Sequence, residues 1–374
     1  MYKGHRYIDA DSHVLEPADM WEKYLEPKHR RFAPIHAVGY KGDPPGFFLN
    51  IRIGGTMMPT FQMPDLVQMP GLEEAYGDYM RRGFGPDCYQ TALERTGMDY
   101  MVLYPTIGLY ATAVPGLSAE VAAAYRRAYN NWLYDFCKQA GSKLIGAGSV
   151  DLRDPIEAAT EARRCVRDLG FKAITFNPEP VNDVALHDRF YDPLWQAASD
   201  LDVPVGVHVA GGTALHQVGI EYFPQWSEGR GLCAFTIGNM IACLSFVSGG
   251  ILERFPKLKV VFLESGAGWP AFWLERIQAG VQGANRGGKI YGLSKSPIEY
   301  FQKQCYISAD PDDPGIAQVS AIIGDDNIVT ATDFGHMEGK GYVRALDEIL
   351  ALELPADTKR KIMWDNAARL YNLN

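Results

Sequence analysis

The chain has 374 residues, 47% hydrophobic and 12% aromatic, with a formal net charge of −9. That is ample material for a large core, and an acidic balance without a long basic run argues against nucleic acid or an anionic membrane as partner. Six cysteines (Cys88, Cys137, Cys165, Cys233, Cys243 and Cys305) are scattered with no CxxC pair, so they read as thiols of a reducing compartment, not as a disulfide frame or thiolate metal site. No secretory leader and no uninterrupted apolar run of about 18 residues is visible, which sets the expectation of a soluble, cytoplasmic protein.

The first predicted strand is "RYIDADSH", which carries Asp9, Asp11 and His13 toward its end. Residues 15–95 then break the pattern. They are rich in Pro, Gly and Met, including Met57, Met58, Met63 and Met69, and are read as an insertion covering the mouth of the fold, with a dimer arm as the alternative. From there strands and helices alternate. "DYMVLYPT" leads to a helix over 118–140, with an apolar stripe of Val121, Ala124, Tyr125, Ala128, Trp132, Leu133 and Phe136. Ser118 is its expected N-cap and Gly141 its stop. "KLIGAGSV" precedes the helix "DPIEAATEARRCVRDLG", and "FKAITFNP" precedes "YDPLWQAASDLD". "VPVGVHVAG", "KLKVVFLES", "QCYISAD" and "NIVTATDF" complete the strands. Alternation of this kind predicts a parallel sheet, and eight apolar strands predict an α/β fold closed as a (β/α)8 TIM barrel. The whole chain, 1–374, reads as one domain with 15–95 as its insertion or lid.

Chemistry in such a barrel sits at the C-terminal ends of the strands. Asp11 and His13 end the first strand, two positions apart and so on one face. His208 ends the fifth, Glu264 the sixth and Asp333 the eighth. Imidazoles with carboxylates are the donor set of a catalytic divalent metal (Zn, Mn or Fe), one or two ions per chain.

Taken together, "IDADSHVLEP", "DPLW", "VHVAGG", "FPKLKVVFLESGAGWP", "TDFGH" and "DNAARLYNL" resemble the amidohydrolase superfamily, in the branch that contains aminocarboxymuconate-semialdehyde and γ-resorcylate decarboxylases. The resemblance implies a metal on Asp11, His13, His208 and Asp333, and often a homodimer. Two departures stand out. The first-strand motif is Asp11-Ser12-His13 where His-x-His is common, and an added carboxylate favours harder ions. Glu264 stands where the known decarboxylases carry a histidine.

Glu264 is therefore the expected general acid/base, or else a further metal ligand. His336, in "TDFGHMEG", is read as orienting the substrate or supporting the metal site. Asp310 and Asn177 lie at strand mouths, and His216 follows the fifth strand. Lys172 starts its strand and is set aside as a ligand. His187 is read as capping or packing, and His5, His29 and His36 as surface residues. Tyr104, Trp269, Phe334 and the insertion's methionines are expected to line an apolar pocket. The leading expectation is a metal-dependent hydrolase of a small hydrophobic or aromatic amide, ester or thioester. The alternative is a non-oxidative decarboxylase of an aromatic or unsaturated acid. A metal-free glycosidase needs neither His13 nor His208.

Overall fold

The computed structural model describes residues 2–41, 46–53, 56–57, 71–210, 215, 217–219, 221–223, 226–284, 292–336 and 338–374. β1 (Ile8–His13) opens the chain. A small antiparallel sheet follows, made of β2 (Ile35–Lys41), β3 (Gly46–Ile53) and β4 (Thr56–Met57). Then come β5 (Tyr100–Tyr104), β6 (Leu144–Ser149), β7 (Ala173–Phe176), β8 (Pro204–Val207), β9 (Lys259–Phe262), β10 (Cys305–Ala309) and β11 (Ile328–Thr330). β1 and β5 to β11 form one eight-stranded sheet in chain order, and each neighbouring pair is parallel. The expected (β/α)8 barrel is what the sequence builds.

The last seam closes just beyond β11. The Asp333 N–H donates to the Asp11 carbonyl (3.0 Å) and the His13 N–H to the Phe334 carbonyl (2.7 Å). Beneath them the buried Asp9 carboxylate accepts from the Thr332 N–H (2.9 Å), the Ser12 hydroxyl (2.8 Å) and the Thr332 hydroxyl. The closing turn is thus tied to β1 by the same strand that carries Asp11 and His13.

Two apolar layers hold the barrel. Ile8, Ala10, Val102, Ile145, Ala147, Val261, Leu263 and Val329 fill its interior. The floor is closed by the C-terminal helix Asn366–Tyr371, whose Tyr371 hydroxyl meets that of Tyr104 (3.1 Å) and donates to the Ala10 carbonyl (3.1 Å). Gly206 admits this arrangement, because a Cβ there would stand 2.9 Å from the Tyr104 ring. The outer layer packs helices on the sheet. In the helix Ala119–Ala140 the Ser118 hydroxyl accepts from the Val121 N–H (3.3 Å), and the whole anticipated stripe from Val121 to Phe136 is buried.

The helical run Gly229–Val247 has the length and composition of a membrane span, with mean hydropathy 1.5. Thr236 and Asn239 interrupt its apolar residues, so it is not an uninterrupted apolar run. In the fold it belongs to the barrel's shell: Asn239 is buried and donates to the Leu263 carbonyl (2.8 Å), and the run packs on the helix Trp269–Ala284.

Glu16, just after β1, pins the next strand's loop. Its carboxylate accepts from the Ile107 and Gly108 N–H groups, each at 2.9 Å. Complete burial nevertheless pushes its carboxyl up from 4.5 to about 7. The folded state therefore holds this proton more tightly than the unfolded chain does. Its contribution is fully present below the unfolded value and is lost as pH rises through about 7. Glu16→Gln removes that share, on the order of 3 kcal/mol. Denaturant melts between pH 4.5 and 7 are expected to vary less with pH in the variant; an unchanged profile contradicts this.

Candidate metal centre

Asp11 and His13 do share a face, but simple alternation would put them on the wrong one. Ile8 and Ala10 point into the barrel, so Asp11 and His13 would follow Tyr7 into the outer layer. The pairing of β1 with β5 shifts register between Asp9 and Ser12. One extra residue in a strand reverses the phase of all that follow. Asp11 and His13 thereby enter the barrel, and Val14 packs in the outer layer.

His208 needs no such device, because it follows Gly206, which faces inward toward Tyr104. Glu264 and Asp333 each sit in the left-handed region, with φ of 50° and 54°. That conformation costs a non-glycine residue about 1 kcal/mol and is typically kept where function needs it. At Glu264 it turns back a side chain that would otherwise point outward after the inward Leu263.

The result is two overlapping donor groups, Asp11–His13–His208 and His13–Glu264–Asp333–His336, each with its ligand atoms within 4.8 Å of one another. His13 Nε2 lies 3.5 Å from Asp11 Oδ1 and 3.3 Å from Asp333 Oδ1. His208 Nε2 lies 3.6 Å from Asp11 Oδ1 and 3.5 Å from Glu264 Oε2. The two Nε2 atoms face each other at 3.0 Å.

Protonation is decided on the far side of each ring. His13 Nδ1 meets the Pro105 carbonyl at 3.0 Å, and His208 Nδ1 the Val209 carbonyl at 2.8 Å. A carbonyl only accepts, so each Nδ1 carries the hydrogen and each Nε2 presents a lone pair. Burial, reinforced by His336 and His208, holds the His13 imidazole well below its usual range. Asp11 Oδ1 is buried without a hydrogen-bond partner among the described residues. Lone pairs and carboxylate oxygens converging without a proton between them fit a divalent cation.

His336 stacks on His13, with ring centroids 3.7 Å apart and 17° between planes. Its Nδ1 is 3.0 Å from Asp333 Oδ1 and its Nε2 is 2.8 Å from the Thr106 hydroxyl. Thr106, which sequence reasoning missed, thus fixes the orientation of His336; its only sequence signal was a hydroxyl just beyond a strand end. Asp310 lies with Glu264, Asp333, Lys340 and Tyr342 around an adjoining cavity of about 360 Å³.

Two of the three aromatic residues expected to line the pocket do not. Phe334 is buried among Tyr76, Tyr79, Phe84, Tyr89 and Tyr342 rather than in a pocket. Trp269 packs edge-on to Phe262 and donates to Ser265. Both lie in the outer layer. Tyr104 alone of the three stays near, its ring 5.8 Å from that of His208. Asn177 accepts from Arg126 (3.3 Å). His29 is buried, not on the surface. His5 is half-buried rather than at the surface, and His187 is half-buried and packs its Cβ against Gly249, as expected. His216, Met58, Met63 and Met69 lie outside the described residues, as do the side chains of His36 and Met57.

The family model described as "Amidohydrolase" matches residues 8–373. The chain belongs to the amidohydrolase family. Among curated relatives, γ-resorcylate decarboxylase of Polaromonas sp. is 24% identical over 298 residues, covering 75% of this chain and 86% of its own. Among solved structures, an amidohydrolase of Mycobacterium avium subsp. paratuberculosis superposes with TM-score 0.77 at 22% identity, covering 98% of this chain and 99% of that one. The 5-carboxyvanillate decarboxylase of Novosphingobium aromaticivorans, with bound manganese, superposes with TM-score 0.71 at 22% identity over 100% and 98% of the two chains.

The amidohydrolase centre has one lone pair on His13 to give, since Nδ1 is engaged by Pro105. The two donor groups share that imidazole, and one imidazole nitrogen binds one ion. The purified amidohydrolase is therefore expected to carry about one divalent ion per chain, measured by elemental analysis. His208→Ala should lose most of it, because His13 is then the one imidazole of the Asp11–His13–His208 group and His336 is held by Asp333 and Thr106; full metal content in that variant contradicts the assignment.

Proposed function

We propose that this amidohydrolase is a divalent-metal-dependent, non-oxidative decarboxylase of an aromatic or unsaturated carboxylic acid. The observation that carries the reading is the pairing of a His–carboxylate centre with a cavity of about 360 Å³, bordered by Glu264 and Asp333, large enough for a single substituted ring. Support comes from the relatives named above. They favour decarboxylation, the second reading of the sequence, over hydrolysis of an amide or ester. The oxygen-rich donor set, and the manganese in the Novosphingobium enzyme, support Mn²⁺ over Zn²⁺.

Asp11, His13, His208 and Asp333 would hold the ion, with Glu264 beside it. When bound, the ion supplies a Lewis acid for an anionic substrate group. The chain's own residues do the proton chemistry. In decarboxylation the bond from ring carbon to carboxylate breaks, CO₂ leaves, and the electron pair left on carbon takes a proton. Glu264, whose side chain is 19% exposed and borders the cavity, donates that proton and recovers one from solvent. His336, stacked on His13 and bonded to Thr106, fixes Asp333. Hydrolysis would use the same Glu264 as a base toward water. A lid role is proposed for segment 15–95, two of whose described residues anchor it to the rim: the Tyr89 hydroxyl donates to the His13 carbonyl (2.6 Å), and the Gly335 N–H donates to the Tyr76 hydroxyl (3.4 Å).

Glu264→Gln is expected to keep its metal while turnover falls by about 10²–10⁴-fold. Assays on hydroxybenzoic and unsaturated dicarboxylic acids should be read by CO₂ release. Loss of metal in this variant would make Glu264 a ligand instead, and amide or ester cleavage without CO₂ would restore the hydrolase reading.

A homodimer is part of this proposal. Leu232, Ile241, Leu244 and Phe272 are exposed on two helical runs that pack together, an apolar face of the kind that association covers. The six unpaired thiols support a cytoplasmic setting. Light scattering at micromolar concentration should give twice the chain mass of 41.5 kDa; a monomer removes the dimer.

A further inference from the structure

The cavity beside the metal centre is lined by more than the metal-site residues. Its described lining is carboxylate-rich, with Glu264, Asp310, Asp312, Asp333 and Glu348. The cations on its walls are Lys340 and Arg344. Arg344 is engaged by Glu348 at 3.1 Å and is largely exposed. The Lys340 side chain makes no hydrogen bond or ion pair with any described residue.

The backbone that carries Lys340 is held on both sides. Gly339 packs directly on the Asp333 backbone, and any Cβ there would collide with the Asp333 carbonyl oxygen. Tyr342 stacks on Tyr76 with centroids 5.6 Å apart and 6° between planes, and its hydroxyl bonds that of Tyr79 (3.1 Å). A lysine on a pinned strap, in a cavity whose other described groups are mostly acidic, is the cation among the described lining residues that no described carboxylate already engages. Binding there avoids the cost of ordering a loop.

We propose that Lys340 binds an anionic group of the substrate, a carboxylate or phenolate other than the one at the metal, and so selects acids with a second negative charge. This rests on the decarboxylase reading of the same site. No covalent step is involved. Lys340 binds and positions; it does not exchange a proton with the reacting carbon.

The test uses the manganese-loaded protein and calorimetric titration with benzoate, benzene-1,3-dicarboxylate and 3-carbamoylbenzoate. The last has the shape of the dicarboxylate without its second charge. The native chain should bind the dicarboxylate roughly 10-fold more tightly than the other two. Lys340→Met, with unchanged metal content, should bring all three within about 2-fold, and Lys340→Arg should restore the preference. A dicarboxylate preference that persists in Lys340→Met overturns the assignment. So does a carbamoyl compound that matches the dicarboxylate on the native chain, a comparison that needs no variant. If benzoate binds but no preference exists, the Lys340 assignment falls alone. If none of the three binds, the aromatic-acid reading fails and takes it down too.

Discussion

Two imidazole nitrogens 3.0 Å apart, each with its proton committed to a carbonyl on the opposite edge of the ring, repel each other. The buried oxygens of Asp11 and Asp333 crowd the same space. A barrel tolerates such a cluster only if something positive joins it, because unpaired buried charge costs several kcal/mol per group. Every unusual feature of the rim serves to keep this cluster from relaxing. The Pro105 and Val209 carbonyls fix the rings, the His336 stack blocks rotation of His13, and Thr106 fixes His336.

The backbone is bent to the same end. A bulge in β1 and left-handed conformations at Glu264 and Asp333 are local costs, each offset by the seam between β1 and β11. That seam is short in strand pairing, so its strength comes from Asp9, which ties Thr332 and Ser12 together under the centre. Burial pushes the Asp9 carboxyl up to about 7, the mark of a group placed for geometry at some electrostatic cost. Barrel closure and metal-site assembly are therefore one event: the chain that completes the seam also delivers Asp333 to His13.

Much of this was legible in the sequence. The alternation of strand and helix is a periodicity signal, and the strand-end positions of Asp11, His13, His208, Glu264 and Asp333 follow from topology alone. What was not legible depended on phase or packing. The same-face argument for Asp11 and His13 holds, yet the face itself is chosen by a bulge that no residue pattern announces. Phe334 and Trp269 follow strand ends as convincingly as Tyr104 does. They fall outside the pocket because side chains on either side of a strand end have opposite fates. His29 looked solvated in a basic stretch but is buried beside Glu26 and Glu120. Lys340 carried no motif, and its meaning comes only from Gly339 lying against Asp333.

Charge counting links the centre to the proposed chemistry. Asp11, Asp333 and Glu264 bring three negative charges to a site for one divalent ion, which leaves a surplus of one before any substrate arrives. An organic acid adds another. At short range in a partly desolvated cavity such repulsion is worth several kcal/mol, enough to prevent binding unless a proton accompanies the acid. Decarboxylation consumes one proton per turnover, so the proton that allows the acid to bind is the one the ring carbon needs. Glu264 suits that role better than the other two carboxylates. Asp11 is buried between both imidazoles, and Asp333, although it also borders the cavity, lies between His13 and His336, whereas Glu264 lies against His208 with its side chain 19% exposed. In this reading Glu264→His would lower the negative count and need no accompanying proton. In the proposed decarboxylase, Glu264 at this position would therefore set when the proton arrives as well as which atom delivers it.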